Sequence, residues 1–160
     1  MFHARRGEAP HSDRMSHVDE ETRGLARALT ATPTEREALA AAARRIEEGG
    51  GRMLFEALVN EQRGEDVDRR TVVDRVMRVL EAIFNADAAV AAHLMALLFP
   101  LASHRGVHET ADAIPLFLTD NGDPRVVDVL TRLAADRTVS PRIKKAYANW
   151  ARQLRARQAR

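Results

Sequence analysis

Apolar residues recur along this chain at intervals of three and four, the spacing that gathers them on one side of an α-helix. No stretch sustains the Val, Ile and Thr alternation of a strand. The first run begins near Asp19, carries Leu25, Ala28 and Leu29 on one side, and is stopped by Pro33. Thr34 and Glu37 have the spacing of a capping box for a second helix, with Leu39, Ala42, Ala43 and Ile46 inward and Gly49-Gly50-Gly51 as its end. Residues 52–62 place Leu54, Phe55, Leu58 and Val59 on neighbouring turns. Asp68 or Thr71 then caps a longer helix, in which Val72, Val76, Val79, Leu80 and Ile83 form the stripe while Arg69, Arg70, Arg75 and Arg78 stay in water.

Asn85 reads as a turn, and from about Ala86 follows the most apolar helix, with Val90, Leu94, Leu97, Leu98 and Leu101 on a wide face and Pro100 kinking or ending it. His108 to Thr119 forms another, with Ile114, Phe117 and Leu118 inward. After the Asn121-Gly122 turn, Asp123-Pro124 opens a helix through Val126, Val127, Leu130 and Leu133. Ser140-Pro141 opens the last, with Ile143, Tyr147, Trp150 and Leu154 inward. The pattern predicts an all-α fold of six to eight short amphipathic helices. Residues 1–18 lack periodicity and mix Gly, Pro, Ser, His and both charge signs, so a flexible segment is expected there, then a single helical domain over 19–157 and a frayed basic end at 158–160.

Of the 160 residues, 45% are hydrophobic, but 28 are alanine, so the core has to be built by close approach of helices rather than by bulk. The absence of cysteine excludes disulfides, thiolate nucleophiles and cysteine-ligated metals, and fits a reducing compartment. The apolar run from Ala86 to Ala102 is interrupted by Asp87 and His93 and is shorter than the ~20 residues of a membrane span. The chain opens without the apolar run of a secretory signal, so no membrane association and a cytoplasmic location are expected.

The formal net charge of +2 conceals a division. Residues 137–160 hold eight basic groups and no acid, whereas residues 1–136 hold 17 basic and 23 acidic groups. A mildly acidic body therefore ends in a basic helix, a local field that the sum hides.

Ala113-Ile114-Pro115-Leu116-Phe117-Leu118, then Asp123-Pro124-Arg125-Val126, Leu130 and Leu133-Ala134, resemble the pattern of armadillo and HEAT repeats. Ser140-Pro141-Arg142-Ile143 with Trp150 and Leu154 looks like the start of a further unit, and the resemblance spans at most residues 71–157. It implies helix pairs stacked into a short right-handed array whose concave face binds a protein or peptide. An irregular helical bundle is the other architecture the pattern allows.

Candidate chemistry is sparse. His93, His104, His108, Glu109 and Asp112 are the best cluster, because His104 and His108 are four apart and would share a face of a continuous helix as metal ligands do; His104, His108 and Asp112 are the ligands this reading names. Gly106 between the histidines favours a pair of surface side chains on a loop instead, so no metal and no cofactor is expected. The glycine triple lacks a following helix with a phosphate-binding lysine, and reads as a helix end and hinge. No serine has a nucleophile-elbow context, and the acidic residues fall on polar faces, so no catalytic residue and no enzymatic activity is expected. On the last helix Arg142, Lys144, Lys145, Arg152 and Arg155 face outward, available to nucleic acid or to an acidic partner, while Trp150 is read as core. The sequence thus points to a non-enzymatic protein–protein interaction module, adaptor or regulatory, with a protein or peptide partner. Nucleic-acid association through the basic helix is the alternative, and a histidine metal site the second.

Overall fold

A computed structural model describes residues 18–104 and 108–160, with the backbone alone for His104 and His108. The described residues form eight helices and no strand: α1 (Glu20–Ala31), α2 (Arg36–Glu47), α3 (Gly51–Gln62), α4 (Arg69–Ala86), α5 (Ala88–His104), α6 (His108–Thr119), α7 (Pro124–Ala134) and α8 (Pro141–Gln158). The all-α fold read from the sequence is thus the fold of the chain. The segment expected to be flexible lies outside the described residues apart from Val18, which is buried.

Side-chain caps set most of the helix starts. Asp19 accepts from the N–H of Thr22 at 2.7 Å, Asp68 from Thr71 at 2.8 Å and Asp123 from Arg125 at 2.9 Å. Each satisfies a backbone donor that a helix start leaves open. At α2 the cap is Glu35 rather than Thr34, and its two carboxylate oxygens accept from the N–H groups of Glu37 and Ala38. A carboxylate serves both donors where a hydroxyl would serve one, so the Thr34/Glu37 capping box does not form. Asn85 lies within α4, not at a turn. The break falls at Asp87, whose N–H closes α4 on the Ile83 carbonyl at 2.7 Å while its carboxylate accepts from Val90 at 3.2 Å, so one residue ends one helix and starts the next. Along α1 the buried side is Thr22, Ala26 and Leu29, and Ala28 is exposed.

At the centre lies α5, packed against α2, α3, α4, α6 and α7. Ala91, Ala92, Leu94, Met95, Ala96 and Leu98 are fully buried, which the alanines make achievable by letting neighbouring backbones come close. One helix packed against most of the others is a hub, and nothing in the arrangement marks armadillo or HEAT repeats. An arginine ties two helix starts to each other: Arg125 lies 3.3 Å from Asp87, at the start of α5, and 2.6 Å from Asp123, the cap of α7. Arg157 pairs with Asp120 at 3.0 Å, and Gln158 donates to the carbonyls of Asn121 and Asp123 at 3.2 Å each.

Pro100 sits inside α5, which continues for four more residues. A proline has no N–H, so the carbonyl of Ala96, four residues earlier, loses its intrahelical donor. The Tyr147 hydroxyl of α8 donates to that carbonyl, in a site where Tyr147 is 1% exposed. Burial pushes the Tyr147 phenol well above its ordinary pKa, which keeps the donating proton in place. One turn further along α8, Trp150 packs edge-on against Phe99 with ring centroids 4.8 Å apart.

Tyr147→Phe should therefore cost about 1–3 kcal/mol, the penalty for a buried carbonyl without a donor. In a Pro100→Ala background the restored N–H serves Ala96, and the same substitution should cost less than about 1 kcal/mol. Urea denaturation of the four proteins measures the difference, and equal losses in both backgrounds would refute the assignment.

Candidate functional site

Three places on the molecule hold groups that could meet a ligand. The largest is a trough along α3. Val59, Arg63 and Leu101 are shared by two adjoining cavities of about 430 and 540 Å³. One opens toward α4, over Val72, Val73, Val76 and Leu98, and the other toward Val18, Phe55, Leu97 and Pro100. From Arg52 to Arg63 the trough follows α3 for about 16 Å, room for roughly three turns of a second helix. Its floor is valine and leucine from three helices, and its rim carries Arg52, Arg63 and Arg69 against the single carboxylate of Glu56. None of the three arginines has an ion-pair partner among the described residues.

The second is built on the glycine triple. Gly49, with φ +89°, ends α2: its N–H bonds the Ile46 carbonyl at 3.1 Å and the Gly50 N–H bonds that of Arg45 at 2.7 Å, the paired closure of a Schellman motif. The triple is also the start of α3, contrary to the sequence reading, with Gly50 at the cap and Gly51 as first helical residue. Gly51 is buried against His93 of α5, and a Cβ there would lie 2.2 Å from the imidazole Nε2. His93 makes no hydrogen bond among the described residues and faces a cavity of about 310 Å³ with Arg52, Asp136 and Thr138 at its edge.

The electrostatics of that cavity are set first by burial. Desolvation, then the charges of Arg52 and Arg132, lower the His93 pKa to about 4, against a smaller opposing effect of Asp136. Asp136 is itself held below the ordinary carboxylate range by the N–H and hydroxyl of Thr138, at 2.8 and 2.7 Å. At neutral pH the cavity thus holds an uncharged imidazole. The sequence signal for this site was a histidine set among Ala91, Ala92, Leu94 and Met95, together with a glycine at a helix start. Only the fold shows that the two meet.

Two of the three candidate metal ligands, His104 and His108, fall where the description of side chains stops. Among the described residues His104 is the last of α5 and His108 the first of α6, and the side chains of both lie outside the described residues. Eleven residues back along α5, His93 lies about 16 Å from the His104 position. Glu109 lies 3.8 Å from Arg70, and Asp112 is exposed. Among the described residues no group of three His, Asp or Glu side chains could hold a metal ion.

The third place is α8. Arg142, Lys145, Arg152 and Arg155 are exposed and Lys144 is half-buried, while Ile143, Tyr147, Trp150 and Leu154 are buried as their spacing requires. Trp150, 7% exposed, is core. Ser140 occupies the cap position of α8, but its hydroxyl makes no capping bond.

A pH dependence follows from His93. Between its ordinary value of 6.5 and about 4, the unfolded chain binds a proton that the folded chain refuses. Stability therefore falls as the pH is lowered through that interval, by about 3 kcal/mol at the lower end. In His93→Gln the fall between pH 7 and 4 should be smaller by that amount in urea titrations. An unchanged fall would mean that the imidazole is not held neutral.

The chain matches no protein-family model, no curated protein and no solved structure, so its own residues are what bear on its function.

Proposed function

We propose that this protein is a non-catalytic helical interaction module that captures a segment of a partner protein in the trough between α3, α4 and α5. The observation that carries the reading is an apolar floor rimmed by three arginines without ion-pair partners and one glutamate. An amphipathic helix laid into such a trough buries its apolar stripe on Val59, Leu97 and Leu101. Acidic side chains flanking the stripe then meet Arg52, Arg63 and Arg69, so the partner is an acidic amphipathic helix rather than a basic one. The alternation of roles along α3 supports this. Phe55 and Val59 face the floor, while Arg52 and Arg63 mark its two ends.

A labelled peptide of about four helical turns, with leucines at helical spacing and glutamates elsewhere, is the direct probe. Fluorescence anisotropy should show it bound at least about tenfold more tightly than the same leucine pattern set among lysines. Arg63→Glu and Arg69→Glu, both at exposed positions, should each weaken binding by about tenfold or more without lowering the melting temperature by more than a few degrees. Equal affinity for both peptides would sink the charge argument, and binding unaffected by either substitution would place the contact elsewhere. Repeating the titration after removing residues 2–17 tests a rival occupant, since a rise in affinity would show that the chain's own N-terminal segment competes for the trough.

A further inference from the structure

The outward face of α8 is a second surface, on elements other than those of the trough, and its charge is not accounted for by the protein's own interactions. Some arginines elsewhere lie against carboxylates, Arg23 against Glu20 at 3.1 Å, Arg45 against Glu21 at 3.1 Å and Arg125 between Asp87 and Asp123, while those on the rim of the trough do not. On α8 itself, Arg157 pairs with Asp120. Arg142, Lys145, Arg152 and Arg155 have no ion-pair partner among the described residues, and the only polar contact among them is from Arg152 to Asn149 at 3.1 Å. Lys144, beside Asp136, is partly compensated.

Two ordinary explanations of a basic helix apply only to its far end. Cations in the last turn offset the partial negative charge of a helix C-terminus, which suits Arg155 and Arg157. Arg142, Lys144 and Lys145 instead occupy the first turns, where the helix end is positive, with no acidic residue in the first turn and no side-chain cap from Ser140. Concentrating cations there is unfavourable for the isolated protein, and a bound polyanion would reverse the sign.

We propose that this face of α8 binds duplex nucleic acid through its phosphates. The four unpaired cations run from Arg142 to Arg155, about 20 Å along the helix, a length over which each strand of a duplex presents roughly six phosphates. Between them stand Ala148, Asn149 and Ala156, which let a backbone approach closely or add a donor. The same face argues against other polyanions. Single strands are held largely by stacking on aromatic side chains, and both aromatic residues of α8, Tyr147 and Trp150, are buried. A membrane-surface helix drives apolar side chains into the lipid, but the large apolar side chains of α8 are committed to the core. An acidic protein surface would require an apolar centre for the interface, and the outward face has none beyond alanine.

The test titrates the full chain with a labelled duplex of about 20 base pairs and mixed sequence, from about 50 to 200 mM salt. With four phosphates neutralised, the logarithm of affinity should fall against the logarithm of salt with a slope near −3.6, about −0.9 per phosphate. Lys145→Gln with Arg152→Gln should reduce that slope by about 1.8 and weaken binding by at least about tenfold at the lowest salt, with an unchanged melting temperature. A control pair that removes equal charge elsewhere, Arg36→Gln with Arg78→Gln, should leave the slope unaltered. No duplex binding at about 50 mM salt would overturn the proposal, as would an equal loss in the control pair. So would tighter binding to an unstructured single strand of the same length, or to phosphatidylserine-containing vesicles.

Discussion

The carbonyl of Ala96 is the point on which the assembly of this fold turns. A proline inside the most buried helix removes a backbone donor from a carbonyl in the apolar core, a loss of about 1–3 kcal/mol if nothing replaces it. The remedy comes from another element. Tyr147, forty-seven residues beyond Pro100, brings its hydroxyl to that carbonyl from α8, and the neighbouring Trp150 closes on Phe99. The basic C-terminal helix is thus part of the core construction rather than an appendage, and α5 is completed only when α8 has docked. Its orientation is a consequence. With Tyr147 and Trp150 fixed inward, a helix of 3.6 residues per turn must present Lys145, Arg152 and Arg155 outward.

Much of this was legible in the sequence. The starts of α4, α7 and α8, and the buried sets of α3, α4 and α8, fall where apolar spacing, Asp68, Asp123-Pro124 and Ser140-Pro141 place them. What escaped was of two kinds. Local competition between neighbouring caps was one, as at α2, where Glu35 outcompetes Thr34 by reaching two N–H groups, and at Asp87, which serves two helices and moves the break past Asn85. The other was contact at long separation. The spacing of Tyr147, Trp150 and Leu154 marks an apolar face, but nothing in it says that the tyrosine answers a proline in another helix. Gly51 and His93 likewise meet only because α3 and α5 pack together.

The candidate sites divide on the same line. The cations of α8 were readable because their outward placement depends on one helix and its periodicity. The trough was not, since its floor is drawn from α3, α4 and α5 and each of these valines and leucines reads locally as core. A pair of histidines four apart reads as a metal site only under the assumption of an unbroken helix, and the residues that would decide it, 105–107, lie outside the described residues.

Arg52 stands at the edge of both the trough and the His93 cavity, so the two could be thought to communicate through its charge. The order of the forces on His93 decides otherwise. Burial is the leading cause of its lowered pKa, and Arg132 acts on it as well as Arg52. A carboxylate meeting Arg52 in the trough would relieve only one of the lesser contributions, leaving the imidazole neutral at pH 7 whether the trough is empty or filled. On the side of α3 the ring is closely packed, because Gly51 leaves no room for even a methyl group beside Nε2. His93 is therefore better described as a half-buried neutral side chain that joins α5 to the start of α3. Acid weakens that junction, and the solvent-facing arginines above it are free to take part in binding without disturbing it.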